Sequence, residues 1–345
     1  MSGKTKIEWT EATWNCITGC TKVSQGCRFC YAEREWPRLA APRAKPNIYT
    51  GRDFTDVKCH PEKLVIPWRW AKPRRIFVNS MSDLFHESVP FEFIASVFAI
   101  MGVTTRHTYQ VLTKRPERML EFFRWVHEEF GSQEFLADER IFKHFPKDIP
   151  WESMNSTGHG YDNCGPLYPY KNVWLGVSCE DQATADERIP LLLQTPAAVR
   201  WVSAEPLLGP INLRCIAPFD DFHTDALDTP DPSRKLQWIV AGGESGPQAR
   251  PMHPEWVRSI RDQCQAAGAL FFFKQWGEWE IASAKNGHHG SVMPETGEKY
   301  TWIGKNGKTF NPSAPDGQDC YAMAKVGKKR AGRLLDGRTW DEYPE

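Results

Sequence analysis

Short apolar stretches that end abruptly in polar residues recur along the chain, and most are followed by a segment with helical spacing of apolar side chains. This alternation is typical of parallel β–α units, in which a helix returns the chain to the start of the next strand. The pattern predicts strands near 5–9 and at 75–79, 109–112, 172–177, 199–202, 237–241 and 270–273. It predicts helices at 90–101, 117–129, 183–194 and 253–267.

The predicted fold is α/β, a partial or modified (β/α) TIM-like barrel of parallel strands. In such a barrel the functional site is built from residues at the carboxyl ends of the strands. Six of the predicted strands end in Asn, Ser, Asp, Lys, Arg, Glu or Gly residues, and a cysteine-rich loop follows the first strand. An open doubly wound sheet is the alternative, because no eighth strand is evident.

Two segments interrupt the alternation. Residues 131–171 are too long for a simple connection and are interpreted as an insertion, and 217–235, rich in Asp and Pro, as a shorter surface insertion. We therefore expect residues 1–280 to form the barrel with these insertions, and 281–345 to form a C-terminal extension with a basic tail. The short strands predicted in the extension are 299–303 and 304–307.

The composition limits the classes of protein to which the chain can belong. Lys and Arg together number 43, as do Asp and Glu, so no global charge indicates a nucleic-acid or membrane partner. The longest apolar run, 91–103, is interrupted by Glu92 and is too short to span a bilayer. The mean hydropathy of −0.53 and an N-terminus without an apolar signal region predict a cytoplasmic protein without membrane contact, whose cysteines are reduced.

Four of the ten cysteines lie close together, at positions 16, 20, 27 and 30. Thiolates at this density are typical ligands of zinc or of an iron–sulfur cluster. A four-thiolate zinc site usually has a longer loop between its two cysteine pairs than the six residues between Cys20 and Cys27. Three thiolates, those of Cys20, Cys27 and Cys30, suit a [4Fe-4S] cluster that leaves one iron open for a ligand. Zinc, or cysteines without a metal, are the alternatives.

The segment Cys27-Arg-Phe-Cys30-Tyr-Ala, with Cys20 before it and β–α units after it, resembles the radical S-adenosylmethionine enzymes. In that family three cysteines in the loop after the first strand hold the cluster, although the first two are commonly separated by three residues. The resemblance implies a [4Fe-4S] cluster and S-adenosylmethionine as cofactors, and a 5′-deoxyadenosyl radical that abstracts a substrate hydrogen. It also implies a one-electron donor such as a flavodoxin.

Longer phrases resemble a phage- and prophage-associated family whose biochemical activity is not established. The phrases are Thr5-Lys-Ile-Glu-Trp, Gly19-Cys-Thr-Lys-Val-Ser, Phe77-Val-Asn-Ser-Met-Ser-Asp-Leu-Phe-His, residues 183–193, Val202-Ser-Ala-Glu-Pro-Leu-Leu-Gly-Pro and Gly242-Gly-Glu-Ser-Gly. This resemblance covers most of 4–280 and the tail after Met323. In that family position 16 is usually not cysteine, which implies that Cys16 is not a ligand.

The strand ends contain candidates for the S-adenosylmethionine site. Acceptors for the methionine amine are expected after the second strand, at Asn79, Ser80, Ser82 and Asp83. Candidates for holding ribose hydroxyls or for proton transfer follow later strands, at Ser178, Glu180 and Glu205.

Other strand ends contain candidates for binding a substrate. Lys114 and Arg115 can bind a carboxylate or phosphate. Glu244, after two glycines that allow close backbone approach, can pair with a cation, and a tight turn is the alternative role for this motif. A cation, an amide and an aromatic face that suit a planar substrate are combined at Lys274, Gln275 and Trp276. A nucleic acid or nucleotide is the expected substrate class.

Two other functions are consistent with the sequence. The basic tail and the tryptophans fit a zinc-stabilised nucleic-acid-binding protein without catalysis, and the cysteines fit a cluster-binding redox sensor. Six cations lie between Lys325 and Arg338. We expect this tail to fold back near the barrel mouth and to contact an anionic substrate, although a solvated tail is the default for such a run.

Overall fold

The structure, a computed structural model, describes residues 3–128, 143–144, 146, 169–217, 223–282, 299–311 and 320–345. The insertion predicted at 131–171 lies almost entirely outside these residues. The described part of the second insertion, 217–235, contains a 3-10 turn at Pro232–Arg234. No helix of the described residues combines the length and the apolar character needed to cross a bilayer.

The strands are β1 Gly3–Lys4, β2 Ala12–Trp14, β3 Ile17–Thr18, β4 Lys58–Cys59, β5 Arg75–Val78, β6 Thr108–Thr113, β7 Val173–Ser178, β8 Val199–Ala204, β9 Trp238–Gly242, β10 Leu270–Gln275, β11 Trp279–Ile281, β12 Tyr300–Gly304, β13 Thr309–Phe310 and β14 Cys320–Lys325. The α-helices are α1 Tyr31–Ala40, α2 Phe91–Val103, α3 Pro116–Glu128, α4 Gln182–Gln194, α5 Pro254–Ala267 and α6 Lys328–Ala331.

The main sheet has eight strands in the order β1-β2-β5-β6-β7-β8-β9-β10. Seven of them are parallel, and β1 is antiparallel to β2. With the flanking helices they form a partial (β/α) barrel, which confirms the predicted fold class. The side chains of β7, β8 and β9 are buried throughout, as expected for parallel strands covered on both faces.

The first parallel strand is not where the sequence pattern placed it. Residues 5–9 contain no strand, and β2, Ala12–Trp14, takes that position beside β5. The pairing of Ala12 with Ile76 and of Trp14 with Val78 defines this strand. The prediction of a strand near 5–9 was therefore wrong. A strand of three residues has no apolar pattern long enough to be recognised without its neighbour in the sheet.

The chain divides into two compact units. The first comprises 1–23, 32–177 and 191–200, and its core includes the stacked rings of Phe98 and Phe122, 5.3 Å apart. The second comprises 24–31, 178–190 and 201–345. Its core includes the fully buried rings of Trp201 and Trp238, whose centroids are 5.1 Å apart.

The C-terminal part of the second unit contains an antiparallel sheet in the order β11-β14-β12-β13. The strand predicted at 299–303 corresponds to β12. The prediction of a strand at 304–307 was wrong, because Gly304 ends β12 and 305–307 form the turn that leads to β13, where Gly307 N donates to Gly304 O at 2.9 Å. Gly307 has φ +81, which favours glycine there.

The basic tail folds back onto β10 and the residues after it. Trp276 N donates to Gly332 O at 3.1 Å, and Phe273 N donates to Trp340 O at 3.0 Å. Leu335 is fully buried. The tail is therefore part of the packed second unit, whereas its predicted contact with an anionic substrate stays a prediction.

Candidate functional site

In the first unit, the residues that follow β2 are hydrogen-bonded to those that follow β5. Gly19 N donates to Met81 O at 3.2 Å, and Ser82 Oγ donates to Ile17 O at 2.9 Å. Because β2 and β5 are parallel neighbours, their carboxyl ends lie at the same edge of the sheet. These bonds hold the segment that leads to Cys20 at that edge.

Asn79 is a second connection at this edge. Its backbone has φ 59, and its Oδ1 accepts a hydrogen bond from Ile17 N at 3.2 Å. Ser80 Oγ is likewise used, because it donates to Asn15 Oδ1 at 3.2 Å. The amide nitrogen Nδ2 of Asn79 is buried and has no partner within the described part of the chain. The polar atom that Asn79 has left for a ligand is therefore a donor rather than the expected acceptor.

Asp83 joins the ends of β5 and β6. Its Oδ1 accepts from Thr113 Oγ1 at 2.7 Å and from Phe85 N at 3.0 Å, and its Oδ2 accepts from Lys114 N at 3.0 Å and Arg115 Nη1 at 3.5 Å. A carboxylate has about four acceptor positions, so these four donors use its capacity. The geometry gives Asp83 a positioning role between the two strand ends.

Arg115 holds the backbone beside Cys20. Its Nη2 donates to Thr21 O at 3.1 Å and to Thr21 Oγ1 at 2.8 Å, and its Nη1 lies 3.8 Å from Cys20 Sγ. Burial by itself would lower the pKa of this guanidinium, but the charges of Asp83, Cys20 and Glu87 raise the pKa, so Arg115 stays a cation. A positive charge beside a sulfur favours the thiolate form that binds metals.

The four clustered cysteines differ in their surroundings. Cys16 is fully buried, its Sγ lies 3.6 Å from Asn79 Oδ1, and burial strongly raises the pKa of its thiol. Cys20, Cys27 and Cys30 are half-buried, and none of the four is in a disulfide. A metal ligand must be deprotonated, so the environment of Cys16 disfavours ligation whereas that of the other three permits it.

In the second unit, the Glu180 carboxylate supports the turn before Cys27. Glu180 is fully buried, its Oε1 accepts from Ser24 Oγ at 3.1 Å, and its Oε2 pairs with Arg188 Nη1 at 3.2 Å. A β-carbon on Gly26 would lie only 2.5 Å from Glu180 Cγ. Glu180, a candidate for cofactor binding, thus contacts the cysteine segment itself.

The Glu244 carboxylate and the Arg250 guanidinium form a bidentate ion pair, called the fork below. Arg250 Nη2 donates to Oε1 at 2.7 Å and Nε donates to Oε2 at 2.8 Å, and the backbone N of Arg250 donates to Oε2 at 2.9 Å. The cation with which Glu244 pairs therefore belongs to the chain. Arg250 was not among the sequence candidates, because a spacing of six residues is not a recognised pairing signal.

Glu205 and Lys274 form an ion pair at the carboxyl ends of β8 and β10. Lys274 Nζ lies 3.1 Å from Oε1 and 3.2 Å from Oε2 of Glu205, and the two side chains are 18% and 12% exposed. A β-carbon on Gly242, between them in the sheet order, would lie 2.6 Å from Glu205 Oε1. Ser178 Oγ donates to Glu205 O at 3.1 Å. This pair is partly accessible to solvent.

The remaining substrate candidates are buried or half-buried. Trp276 is 6% exposed, and its Nε1 donates to Leu334 O at 2.8 Å, so its ring is packed in the second unit. Gln275 is buried, and its Oε1 has no partner in the described ranges. Lys114, in the first unit, is half-buried.

In the part of the chain that the structure describes, the candidate ligands do not form a metal site. Among the described residues, no group of three or more His, Cys, Asp and Glu side chains has the arrangement of a metal site. Cys20 belongs to the first unit, and Cys27 and Cys30 belong to the second. The three-cysteine ligand set therefore stays a prediction, supported by the partial exposure of the three thiols and by the Arg115 cation beside Cys20.

The model of the DUF5131 family, described as a protein of unknown function, matches residues 4–344. The chain belongs to this family. Among solved structures, a cysteine-to-serine mutant of spore photoproduct lyase matches with a TM-score of 0.38 and 10% sequence identity, covering 96% of this chain and 72% of that chain. The comparison with curated proteins finds no match.

Proposed function

We propose that this DUF5131 member is a radical S-adenosylmethionine enzyme in which Cys20, Cys27 and Cys30 hold a [4Fe-4S] cluster. The observation that carries the proposal is that the clustered thiols differ in burial, and that burial raises the pKa of one of them. Three are half-buried and reduced, whereas Cys16 is fully buried and its raised pKa keeps it a thiol. This division is consistent with a three-thiolate cluster that has one open iron, because a ligand thiol must be deprotonated.

The residues around the thiols fit a negatively charged group. Arg115 supplies a buried cation 3.8 Å from Cys20 Sγ, and it also holds Thr21 by two hydrogen bonds. Cationic and hydrogen-bonding residues around the sulfurs stabilise and tune such clusters. We therefore propose a positioning role and an electrostatic role for the Arg115 guanidinium, and its predicted contact with a substrate stays a prediction.

When bound and reduced, the cluster with S-adenosylmethionine supplies a 5′-deoxyadenosyl radical, which abstracts a hydrogen atom from the substrate. The chain's contribution is to bind and orient. Asn79 Nδ2, buried and without a described partner, is proposed to donate to the methionine carboxylate. Ser80, Ser82 and Asp83 fix the strand-end loop from which Asn79 acts.

The partly exposed Lys274–Glu205 pair is proposed to bind the substrate, which we expect to be a nucleic acid or nucleotide. Lys274 can bind a phosphate or carbonyl oxygen, and Glu205 can accept a hydrogen bond from a hydroxyl or an amide N–H. The Glu180 carboxylate accepts a hydrogen bond from Ser24, in the cysteine segment. The hydrogen bonds described for the Glu205 carboxylate come instead from Lys274 and Ser203. Ser178 orients Glu205 through its carbonyl.

The proposal includes two further elements that depend on the chemistry of the cluster. A one-electron donor such as a flavodoxin would reduce it. A cytoplasmic location would keep the thiols reduced until the cluster is inserted.

The deciding experiment begins with anaerobic purification and measurement of iron and acid-labile sulfide per chain. The protein is then incubated with dithionite and S-adenosylmethionine, and 5′-deoxyadenosine is quantified by mass spectrometry. The proposal predicts about four irons and four sulfides per chain and formation of 5′-deoxyadenosine. The Asn79→Asp variant, which replaces the donor by an acceptor, should keep the iron but bind S-adenosylmethionine more weakly.

Each other outcome selects a different function. One zinc per chain without sulfide would overturn the proposal and favour a zinc-stabilised nucleic-acid-binding protein. An intact cluster that yields no 5′-deoxyadenosine would favour a redox sensor. Nucleosides from cells with and without the gene, compared by mass spectrometry, test the substrate class.

A further inference from the structure

We use the name Cys27–Cys30 knuckle for residues 24–31, which include both cysteines. The side chain of Arg250 contacts this knuckle and at the same time binds Glu244. Its Nη2 donates to Gln25 O at 3.2 Å, and its guanidinium carbon lies 5.3 Å from the centroid of the Phe29 ring. Phe29 lies between the two cysteines of the knuckle. One side chain therefore contacts the knuckle on both sides of Cys27.

The knuckle has little regular structure of its own. A 3-10 turn covers Gln25–Cys27, with Arg28 N donating to Gln25 O at 3.1 Å and Cys30 N donating to Cys27 O at 3.3 Å. The turn contains no buried residue. A turn of this length is not stable by itself, so its geometry depends on outside contacts.

The orientation of Arg250 is in turn fixed by Glu244. The carboxylate side chain is 5% exposed and that of Arg250 is 26% exposed. A planar guanidinium that is held at two nitrogens by a carboxylate has few other orientations. The same Nη2 that binds Glu244 also reaches Gln25 O, so a change at Glu244 would release the contact at position 25.

The two glycines before Glu244 serve this arrangement. A β-carbon on Gly243 would overlap the carbonyl oxygen of Trp276, with the carbonyl carbon at 2.7 Å. Gly243 N donates to Gln275 O at 2.9 Å. The backbone of the motif is therefore packed against the end of β10, which places the Glu244 side chain where Arg250 can bind it.

We infer that Glu244 and Arg250 form a clamp that positions the Cys27–Cys30 knuckle for its ligand. The Gly242-Gly243-Glu244 motif thereby acts on the cysteines through Arg250. Arg250 and Glu244 are positioning residues, because neither contacts a sulfur in the described structure. The clamp itself is independent of the proposed cluster, and its effect on metal loading rests on the proposed function.

The test uses the full-length metal-free protein first, so that its result does not depend on a cluster. Hydrogen exchange of peptides covering 24–31 is measured by mass spectrometry in the parent and in Arg250→Gln. Removal of the fork and of the bond to Gln25 O should raise exchange at Arg28 and Cys30 about tenfold. Arg250→Lys, which keeps the charge but cannot make the fork, should give an intermediate rate.

Arg258→Gln is the matched control. Arg258 is 24% exposed and binds Asp336 through two nitrogens, and its other described partners are Glu255 and Tyr321. This substitution removes a comparable arginine–carboxylate fork from the same unit. Arg258 has no described contact with 24–31. The clamp predicts faster exchange at the knuckle in Arg250→Gln and not in Arg258→Gln, with similar unfolding midpoints for both variants.

The second readout is iron per chain after anaerobic reconstitution, which should fall in Arg250→Gln and recover partly in Arg250→Lys. Unchanged exchange at 24–31 in Arg250→Gln would overturn the clamp. Equal increases across β9 and β10 would also overturn it, since they indicate general destabilisation. If the knuckle exchanges faster but the parent binds no iron, the clamp stands and the proposed cluster fails.

Discussion

The Glu180 carboxylate occupies the space that a side chain at position 26 would need. Glu180 is held there by Arg188, and both side chains are almost completely buried, at 0% and 1% exposure. A β-carbon on Gly26 would lie 2.5 Å from Glu180 Cγ and 2.6 Å from its Cδ. Because the carboxylate cannot leave its partner without burying an unpaired charge, the cysteine segment would have to move instead.

Gly26→Ala should therefore displace the turn that precedes Cys27. We expect it to cost about 1–3 kcal/mol in the free energy of unfolding, as overpacking typically does, and to lower iron per chain after reconstitution. Denaturant unfolding and iron analysis measure the two effects. Gly51→Ala is the control for iron loading only, because a β-carbon there meets nothing within 4 Å, whereas its φ of +72 strains an alanine and lowers stability by itself. Full iron loading of Gly26→Ala would contradict the expected displacement of the turn before Cys27.

The cysteines should respond to substitution in two groups. Cys20→Ala, Cys27→Ala and Cys30→Ala should each abolish the iron–sulfur absorption of the anaerobic protein, because each removes one of three thiolates. Cys16→Ala should keep it, since the Cys16 thiol is fully buried and its pKa is raised. Alkylation of the native metal-free chain, mapped by mass spectrometry, should likewise modify the three half-buried thiols and spare Cys16. Equal loss of absorption in all four variants would indicate a four-thiolate site.

Acidification should destabilise the protein through three buried histidines. Burial lowers the pKa values of His60, His86 and His107 below the ordinary 6.5. Below that value the unfolded chain binds protons that the folded chain does not, so stability is fully present above about pH 6.5 and is lost as the pH falls through the folded-state values. Each histidine contributes a slope of at most about 1.4 kcal/mol per pH unit.

Urea unfolding between about pH 7.5 and about pH 5.5 measures this slope. His107→Phe should reduce it by about one histidine's share, because His107 is 1% exposed and no longer titrates in the variant. His223→Gln, at an exposed position, is the control and should leave the slope unchanged. A slope that is the same in the parent and in His107→Phe would show that His107 is not a source of acid sensitivity.

The basic tail should be tested by substitution rather than by deletion. Arg330 pairs with Glu280 at 3.2 Å, and Arg338 stacks on Trp340 at 3.6 Å from its ring centroid. Deletion would remove packing that β10 requires. Lys328 and Lys329, which are exposed on α6, are the better targets for neutralisation.

If these lysines neutralise phosphates, changing both to Gln should weaken nucleic-acid binding and reduce its log–log salt slope by about 0.7 to 0.9 for each phosphate that is no longer neutralised. Fluorescence anisotropy with a labelled oligonucleotide over a series of salt concentrations measures both effects. A double variant at exposed Lys45 and Lys72 is the control for general charge. An unchanged salt slope in the α6 variant would show that Lys328 and Lys329 are solvent-exposed side chains that neutralise no phosphate.

Local sequence was sufficient for the elements whose apolar pattern is long. The strand predicted at 109–112 lies within β6, Thr108–Thr113, and the helix predicted at 253–267 corresponds to α5, Pro254–Ala267. The spacing of Cys20, Cys27 and Cys30 and the alternation of strands and helices that predicts the partial barrel were likewise readable, because both are patterns along the chain. The first strand was not, because β2 has three residues and is defined by its pairing with β5.

What the sequence determined by itself was the alternation of strands and helices from β5 to β10 and the clustering of four cysteines, since both follow from spacing along the chain. The tertiary structure decided which charged groups serve those cysteines. Arg115 reaches Cys20 across 95 positions of sequence, and Arg250 reaches Gln25 across 225. Partners this distant in sequence meet only through the tertiary fold of each unit, and no local pattern encodes that meeting. For this reason neither the contact of Arg115 with Cys20 nor that of Arg250 with Gln25 was predicted from the sequence.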